Sequence, residues 1–438
     1  MKFLIKRFTH LCFIVSILLF AYTFYRSEVL WDGKANNYYF IYYIISIIIL
    51  FFSFISIYFN EKIKTYLVII FITIIFGLYL SESYIIYKGY NLTELLKEQN
   101  SIIYKNETGK EYDDRTKKEI FGDLRKLNKN IVISKPGNMF LDQKLSLLPL
   151  SGISNSQTIH CNENGYYSVY LSDRYGFNNP DKAWDQKKIE YLLVGDSFAH
   201  GDCVNRPHDI ASVLRNISTK NVITLGYDGN GPLNEYASLR EYLKTNVSNI
   251  ILLFYEGNDL DNLTNELNSI ILNKYLDDDD FSQNLKLRQN EVDKLLIEKI
   301  NTVEIKKQSS FKILNFLKIH QLRSLLRVKT LQKPQHAQYQ VFNIILKKIN
   351  SLAASNNSNI YFVYLPSFYR YKNNYENPSY FHIKKIVNDL DIKFIDIPKI
   401  LSKKSVNQLN LFPFQQRGHF TINGYKEITE IIYNFIKE

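Results

Sequence analysis

In 438 residues the chain has 3 Cys, 2 Met, 2 Trp, 10 Pro and 17 Gly. So few cysteines exclude a disulfide-dense scaffold. The shortage of Gly and Pro, with charged residues at 22% and hydrophobic residues at 46%, excludes disordered, collagenous and low-complexity proteins. No internal repeat is present. The histidines are scattered and no Cys/His cluster falls at ligand spacing, which argues against a metal site, and nothing points to a cofactor. The net charge of +11, from 54 Lys+Arg against 43 Asp+Glu, raises the question of nucleic acid. Lys travels here with Ile, Asn, Tyr and Phe along the whole chain, however, and no basic-aromatic stripe appears, so nucleic-acid binding is not expected. The length accommodates one large or two medium domains with a sizeable core.

What is present is uneven. Tyr38 to Phe59 carries no charge and is long enough to cross about 30 Å of hydrocarbon as a helix. Phe8 to Tyr25 follows Lys2, Lys6 and Arg7, and Tyr66 to Tyr87 follows Lys62 and Lys64, giving two further spans with basic flanks on one side. By the positive-inside rule those flanks are cytoplasmic. No small-x-small cleavage site follows Tyr25, so the first span is expected to stay. Three crossings place the rest of the chain outside the cytoplasm. The expectation is a multi-pass membrane protein, its bulk on the periplasmic or extracellular side, with the lipid bilayer as one partner. His10 and Cys12 in the first span read as interfacial or packed residues.

Residues 91–130, rich in Lys, Glu and Asn, read as a linker or surface helical stalk after a membrane domain over 1–90. From 131 to 438, short β-branched runs alternate with amphipathic stretches, the signature of βα units and a parallel sheet. Strands are expected at Ile189 to Val194, Asn221 to Leu225, Asn249 to Tyr255, Ile360 to Tyr364 and Lys393 to Ile397. Helices are expected at Pro207 to Ile217, Leu233 to Leu243, Gln340 to Leu352, His382 to Leu390 and Ile422 to Ile436. Residues 261–331 interrupt this pattern as a helical insert. Its run Asp277, Asp278, Asp279, Asp280 lacks the spaced ligands and glycine of a calcium loop and reads as a solvated turn.

The chemistry concentrates at loop positions. In Leu192-Leu193-Val194-Gly195-Asp196-Ser197 an apolar strand runs into a small-residue turn and a helix start, which puts Ser197 in the ligand crevice of a parallel sheet. Alone, Gly-Asp-Ser is a common turn sequence and reads first as a tight turn with Ser197 as a helix cap; the neighbouring loops change that reading. After the second strand, Gly226-Tyr227-Asp228-Gly229 aims a backbone N–H toward the same crevice. After the third, Glu256-Gly257-Asn258-Asp259 offers the Asn258 amide. Two N–H groups and one amide make an oxyanion hole. Late in the chain, Arg417-Gly418-His419-Phe420 places a histidine in a loop before the last helix, a credible base.

This ordered set, Gly195-Asp196-Ser197, Gly229, Gly257-Asn258-Asp259 and His419, resembles the SGNH or GDSL hydrolase family over Ile189 to Glu438 apart from the insert. The segment Ser172 to Asn178 also resembles the lead-in of membrane-anchored members associated with exopolysaccharide O-acetylation. The resemblance implies a three-layer α/β/α, flavodoxin-like fold. It also implies Ser197 as nucleophile, His419 as base, and Ser197 N–H, Gly229 N–H and Asn258 as oxyanion donors. One departure stands out: the family has Asp three residues before the histidine, and this chain has Gln416, which supplies no charge to imidazolium. A carboxylate from elsewhere, a Ser-His dyad, or a degenerate site all remain open. His200, three residues after Ser197, is a weaker candidate base, and His382 reads as a surface or capping residue.

Cys161 and Cys203 both fall in the exported domain and are expected to form a disulfide. The leading function is a membrane-anchored serine esterase acting on an acylated glycan or other cell-envelope ester. An O-acetyltransferase would use the same residues and would need a separate membrane acyl-donor protein, because three spans are too few for a donor channel. Gln416 motivates a third reading, a silent scaffold. The aromatic cluster Phe368, Tyr369, Tyr371 suits a sugar face or ordinary loop packing equally.

Overall fold

The computed structural model describes residues 2–30, 36–88, 92–141, 145–303, 313–325, 336–404 and 407–437. Its contacts divide the chain into two units, one built on residues 1–99 with 309–334 and one on 100–308 with 335–438.

The first unit holds three helices long and apolar enough to cross a membrane, Arg7–Val29, Tyr39–Ser56 and Glu61–Tyr87. Their apolar side chains stay exposed around the bundle, as in Phe40, Ile48, Phe76 and Leu80, the pattern of helices whose solvent is hydrocarbon. The third starts behind Asn60, whose side chain accepts the Ile63 N–H. Near its end Glu82, 1% exposed, accepts the N–H groups of Gln321 and Leu322 at 2.9 and 2.8 Å. Those groups open the helix His320–Leu325, so a carboxylate satisfies donors that no helix can satisfy internally. This part of the expected insert therefore groups with the three apolar helices, while 304–312 and 326–331 of the insert lie outside the described residues. His10 is exposed on the first helix.

The second unit begins with the end of the helix Leu92–Thr108, then Lys117–Leu127, which starts with a capping box between Thr116 and Glu119; the expected stalk is helical. Three short strands follow: β1 (Ile131–Ile133), β2 (Gln157–Ile159) and β3 (Val169–Leu171). They form a small mixed sheet, with β1 parallel and β3 antiparallel to β2. It was not anticipated, because three residues carry no readable period.

The main sheet contains β4 (Ile189–Gly195), β5 (Val222–Thr224), β6 (Val247–Tyr255), β7 (Asn359–Leu365) and β8 (Lys393–Asp396), in the order β5-β4-β6-β7-β8. Every pairing is parallel. Successive residues of a strand face opposite sides, and the core divides accordingly. Leu192, Val194, Ile250, Leu252, Phe362 and Tyr364 pack with Leu233, Leu239, Phe342 and Ile383 on one side. Leu193, Ile251, Leu253, Val363 and Ile395 pack with Ile210, Leu214, Tyr425 and Ile432 on the other. Helices on both faces make this a three-layer α/β/α domain. Each expected strand and helix of the α/β pattern is present, with ends shifted by a few residues.

The acidic run closes the helix Ile270–Asp277. Asp279 pairs with Lys348 at 2.5 Å, and the Asp278 and Asp279 carbonyls accept from Arg240.

Candidate active site

The site lies at the carboxyl ends of β4, β5 and β6. A side-chain carbon at Gly195 would lie 2.8 Å from the Leu253 carbonyl oxygen and 2.9 Å from Ala199 Cβ, so the turn leaving β4 can pack this tightly only with glycine. Asp196 follows as a cap, its Oδ1 accepting the Phe198 N–H at 2.9 Å, and the one-turn helix Ser197–His200 begins. The chain reverses so sharply here that Ser197 faces the crevice while only 5% exposed.

The other wall comes from the loop before the last helix, Ile422–Lys437. There His419 Nε2 stands 2.9 Å from Ser197 Oγ. On the far side of the ring, Nδ1 lies 3.0 Å from Glu163 Oε2. The same oxygen accepts the His419 backbone N–H, so one carboxylate fixes both the main chain and the ring. The Phe198 ring centre, 4.9 Å from that of His419, closes one side.

Burial disfavours the His419 imidazolium, but the Glu163 carboxylate, with lesser help from Asp202 and Asp196, outweighs it and pushes the ring up to about 10. Burial raises Glu163, and the facing His419 more than reverses that, leaving it below its ordinary value. Asp196, fully buried, is pushed up to about 7 by desolvation.

Gly229 sits in the loop after β5 with φ of +80°, a left-handed conformation suited to glycine. Asn258 occupies the turn after β6, before the helix Asp259–Glu266, and its side chain makes no capping hydrogen bond. Both residues thus stand at the ends of the strands flanking β4. Gln416 is not at the histidine: its Nε2 donates to Asn100 Oδ1 at 2.8 Å. His200 turns away from Ser197, its Nδ1 2.8 Å from Asp202 Oδ1. His382 packs edge-on against Tyr339, ring centres 4.7 Å apart. In the aromatic cluster Phe368 is buried against Phe412, while Tyr369 is exposed and carries Arg417 over its ring at 5.9 Å.

Glu163 was not anticipated. It lies 256 residues before His419, in an irregular loop after β2 with no periodic signal. The signal that could have found it is the disulfide. Cys161 is joined to Cys203, which draws the loop after β2 against the turn after Ser197 and brings along any carboxylate within two residues of Cys161. Cys12 is free.

No family model matches the chain, and no curated protein matches it. Solved structures do. A G-D-S-L family lipolytic protein from Desulfitobacterium hafniense is 14% identical, covering 56% of this chain and 99% of its own, with a TM-score of 0.33. A lipase/acylhydrolase from Enterococcus faecalis is 12% identical over 57% of this chain and 95% of its own, TM-score 0.32. The acetyl xylan esterase AlAXEase is 10% identical over 57% and 100%, TM-score 0.33.

Chemically, the arrangement offers a buried hydroxyl against an imidazole nitrogen, and a carboxylate against the other nitrogen. Backbone and amide donors stand at the ends of the neighbouring strands.

Proposed function

We propose that this chain is a membrane-anchored serine esterase of SGNH type, working outside the cytoplasm on an acylated glycan or another cell-envelope ester. The observation that carries the reading is the line Ser197 Oγ, His419 Nε2, His419 Nδ1, Glu163 Oε2, with contacts of 2.9 and 3.0 Å at the carboxyl edge of a parallel sheet. Ser197 Oγ attacks the ester carbonyl carbon as His419 Nε2 takes its proton, and Glu163 stabilises the imidazolium. The carbonyl oxygen becomes an oxyanion held by the N–H groups of Ser197 and Gly229 and the Asn258 amide. The C–O bond to the leaving alcohol then breaks, His419 returns the proton to that alcohol, and an acyl-serine remains. Water, deprotonated by His419, cleaves it to acid and free Ser197. If a sugar hydroxyl takes the place of water, the same residues perform acyl transfer.

Glu163 supplies the charge that Gln416 lacks, which favours catalysis over a silent scaffold. The three apolar helices and the oxidised Cys161–Cys203 pair support an extracytoplasmic location. A fluorophosphonate probe tests the assignment: it should phosphonylate Ser197 in the detergent-solubilised full chain, with the adduct found by peptide mass spectrometry. Absence of an adduct from folded protein, or an adduct elsewhere that survives Ser197→Ala, would refute it.

A further inference from the structure

Beneath the Ser197 turn lies a second group of polar side chains that the esterase chemistry does not use. His160, the first residue after β2, is 3% exposed; His200, closing the one-turn helix, is 1% exposed; Asp202 is 2% exposed. The Asp202 carboxylate lies between the rings, Oδ2 at 2.7 Å from His160 Nε2 and Oδ1 at 2.8 Å from His200 Nδ1. The ring centres are 4.8 Å apart, and Tyr170 stands edge-on 4.8 Å from His200. In sequence the two histidines are 40 residues apart, so no spacing rule connects them.

The directions of these contacts matter more than their lengths. Neither has hydrogen-bond geometry: all four ring nitrogens and Asp202 Oδ1 are buried without a hydrogen-bond partner among the described residues. Buried polar atoms are ordinarily paired, and an unpaired one costs its full desolvation. Ring nitrogens and carboxylate oxygens held 2.7–2.8 Å apart without a hydrogen bond along the line between them repel unless a cation set off that line is shared. Two imidazoles and a carboxylate are the donor set of a borderline divalent ion such as zinc. One nitrogen from each ring and one carboxylate oxygen all fall within 4.8 Å of one another.

We infer that His160 Nε2, His200 Nδ1 and the Asp202 carboxylate form a structural site for one divalent transition-metal ion, of zinc type, under the nucleophile turn. The neighbouring backbone is already fixed. The His160 N–H donates to the Ser168 carbonyl at 2.9 Å, and the Asp202 N–H to that of Ser197 at 3.0 Å. The adjacent disulfide repeats the connection one residue along, His160 to Asp202 beside Cys161 to Cys203. The ion would tie β2 to the turn carrying Ser197 and neutralise Asp202, whose Oδ2 lies 3.7 Å from His419 Nε2. Glu163 and His419 form a separate cluster with Cys203, whose sulfur is already in the disulfide and does not ligate.

The test uses the tag-free full chain in detergent with its disulfide intact. The protein is stripped with a strong chelator, titrated with Zn²⁺, passed over a desalting column and assayed by elemental mass spectrometry. One equivalent of zinc per chain is expected for the wild type and for Glu163→Gln, and loss of that equivalent for His160→Gln. Should His160→Gln fail to fold, X-ray absorption of the zinc-loaded wild type decides instead, with two imidazoles, oxygen ligands and no sulfur expected. Wild-type protein that retains no zinc, full retention by folded His160→Gln, or a spectrum with sulfur or fewer than two imidazoles would overturn the site and leave a proton-bridged His-Asp-His group. None of these readouts depends on ester turnover, so failure of the esterase reading would be seen separately.

Discussion

In the proposed chemistry Glu163, not Gln416, stands beside His419. A carboxylate beside Nδ1 holds the imidazole in the tautomer that can accept the Ser197 proton, and it stabilises the cation that forms; an amide there does neither. Glu163→Gln is therefore expected to lower kcat for a soluble acetyl ester by about 10²–10⁴-fold. Gln416→Ala, which removes only the contact to Asn100, should change it less than about twofold. Steady-state rates of the two variants in parallel check this. The pH profile carries the sign of the same interaction. With His419 pushed up to about 10 by Glu163, the base is protonated at neutral pH, and kcat/KM should fall as pH drops below that value. Glu163→Gln removes the largest raising partner, so its descending limb should move to lower pH; a move to higher pH would contradict the pairing. A cation on Asp202 would lower the limb in both proteins and leave the sign of their difference unchanged. Ser197 and His419 were legible because each stands in a short motif at the end of a regular element. Glu163 was not, because its loop has no periodic signal and reaches the site through long-range contacts, the pairing of three-residue strands and the Cys161–Cys203 disulfide.

Elements are held to the site by a few buried polar contacts. Glu256, at the end of β6, is bound by Arg370 through Nε and Nη2 at 2.9 and 2.5 Å. It also accepts the Tyr364 hydroxyl at 2.9 Å and the Ser367 N–H at 2.8 Å. The Glu256 and Arg370 side chains are 0% and 13% exposed, so removing the cation strands a buried carboxylate. Arg370→Ala should cost about 3–5 kcal/mol, read as a lowered denaturation midpoint; an unchanged midpoint would show that water reaches Glu256. The five strands of the main sheet could be read from sequence because each apolar run lies between helical stretches and is bounded by Asn, Gly or Pro. β1 to β3 could not, although they deliver His160, Cys161 and Glu163, since pairing across the chain defines them and local pattern does not.

For the molecule as a whole, the topology we propose rests on the basic flanks of the first and third apolar helices. The proposed topology predicts that a phosphatase reporter fused after residue 130 is active and a cytoplasm-dependent fluorescent reporter there is dark. It also predicts that Cys161 and Cys203 resist alkylation in membranes until reduced, while Cys12 is indifferent to reductant. The three long apolar helices and the order of the α/β pattern were readable from hydropathy and periodicity. The grouping of His320–Leu325 with the apolar helices was not, because it depends on side chains of the third helix meeting a distant segment, Glu82 accepting two backbone donors and Tyr79 packing on Phe316.

In the proposed mechanism Ser197, driven by His419 and Glu163, forms an acyl-enzyme. Its most direct test is acetyl-ester turnover by the full chain in detergent, beside Ser197→Ala, with and without an oligosaccharide acceptor. Acetate release should fall at least about 10³-fold in Ser197→Ala, with acetylated sugar appearing if a hydroxyl replaces water as acceptor. Release that persists in Ser197→Ala, or none from folded wild-type protein under either condition, would contradict it.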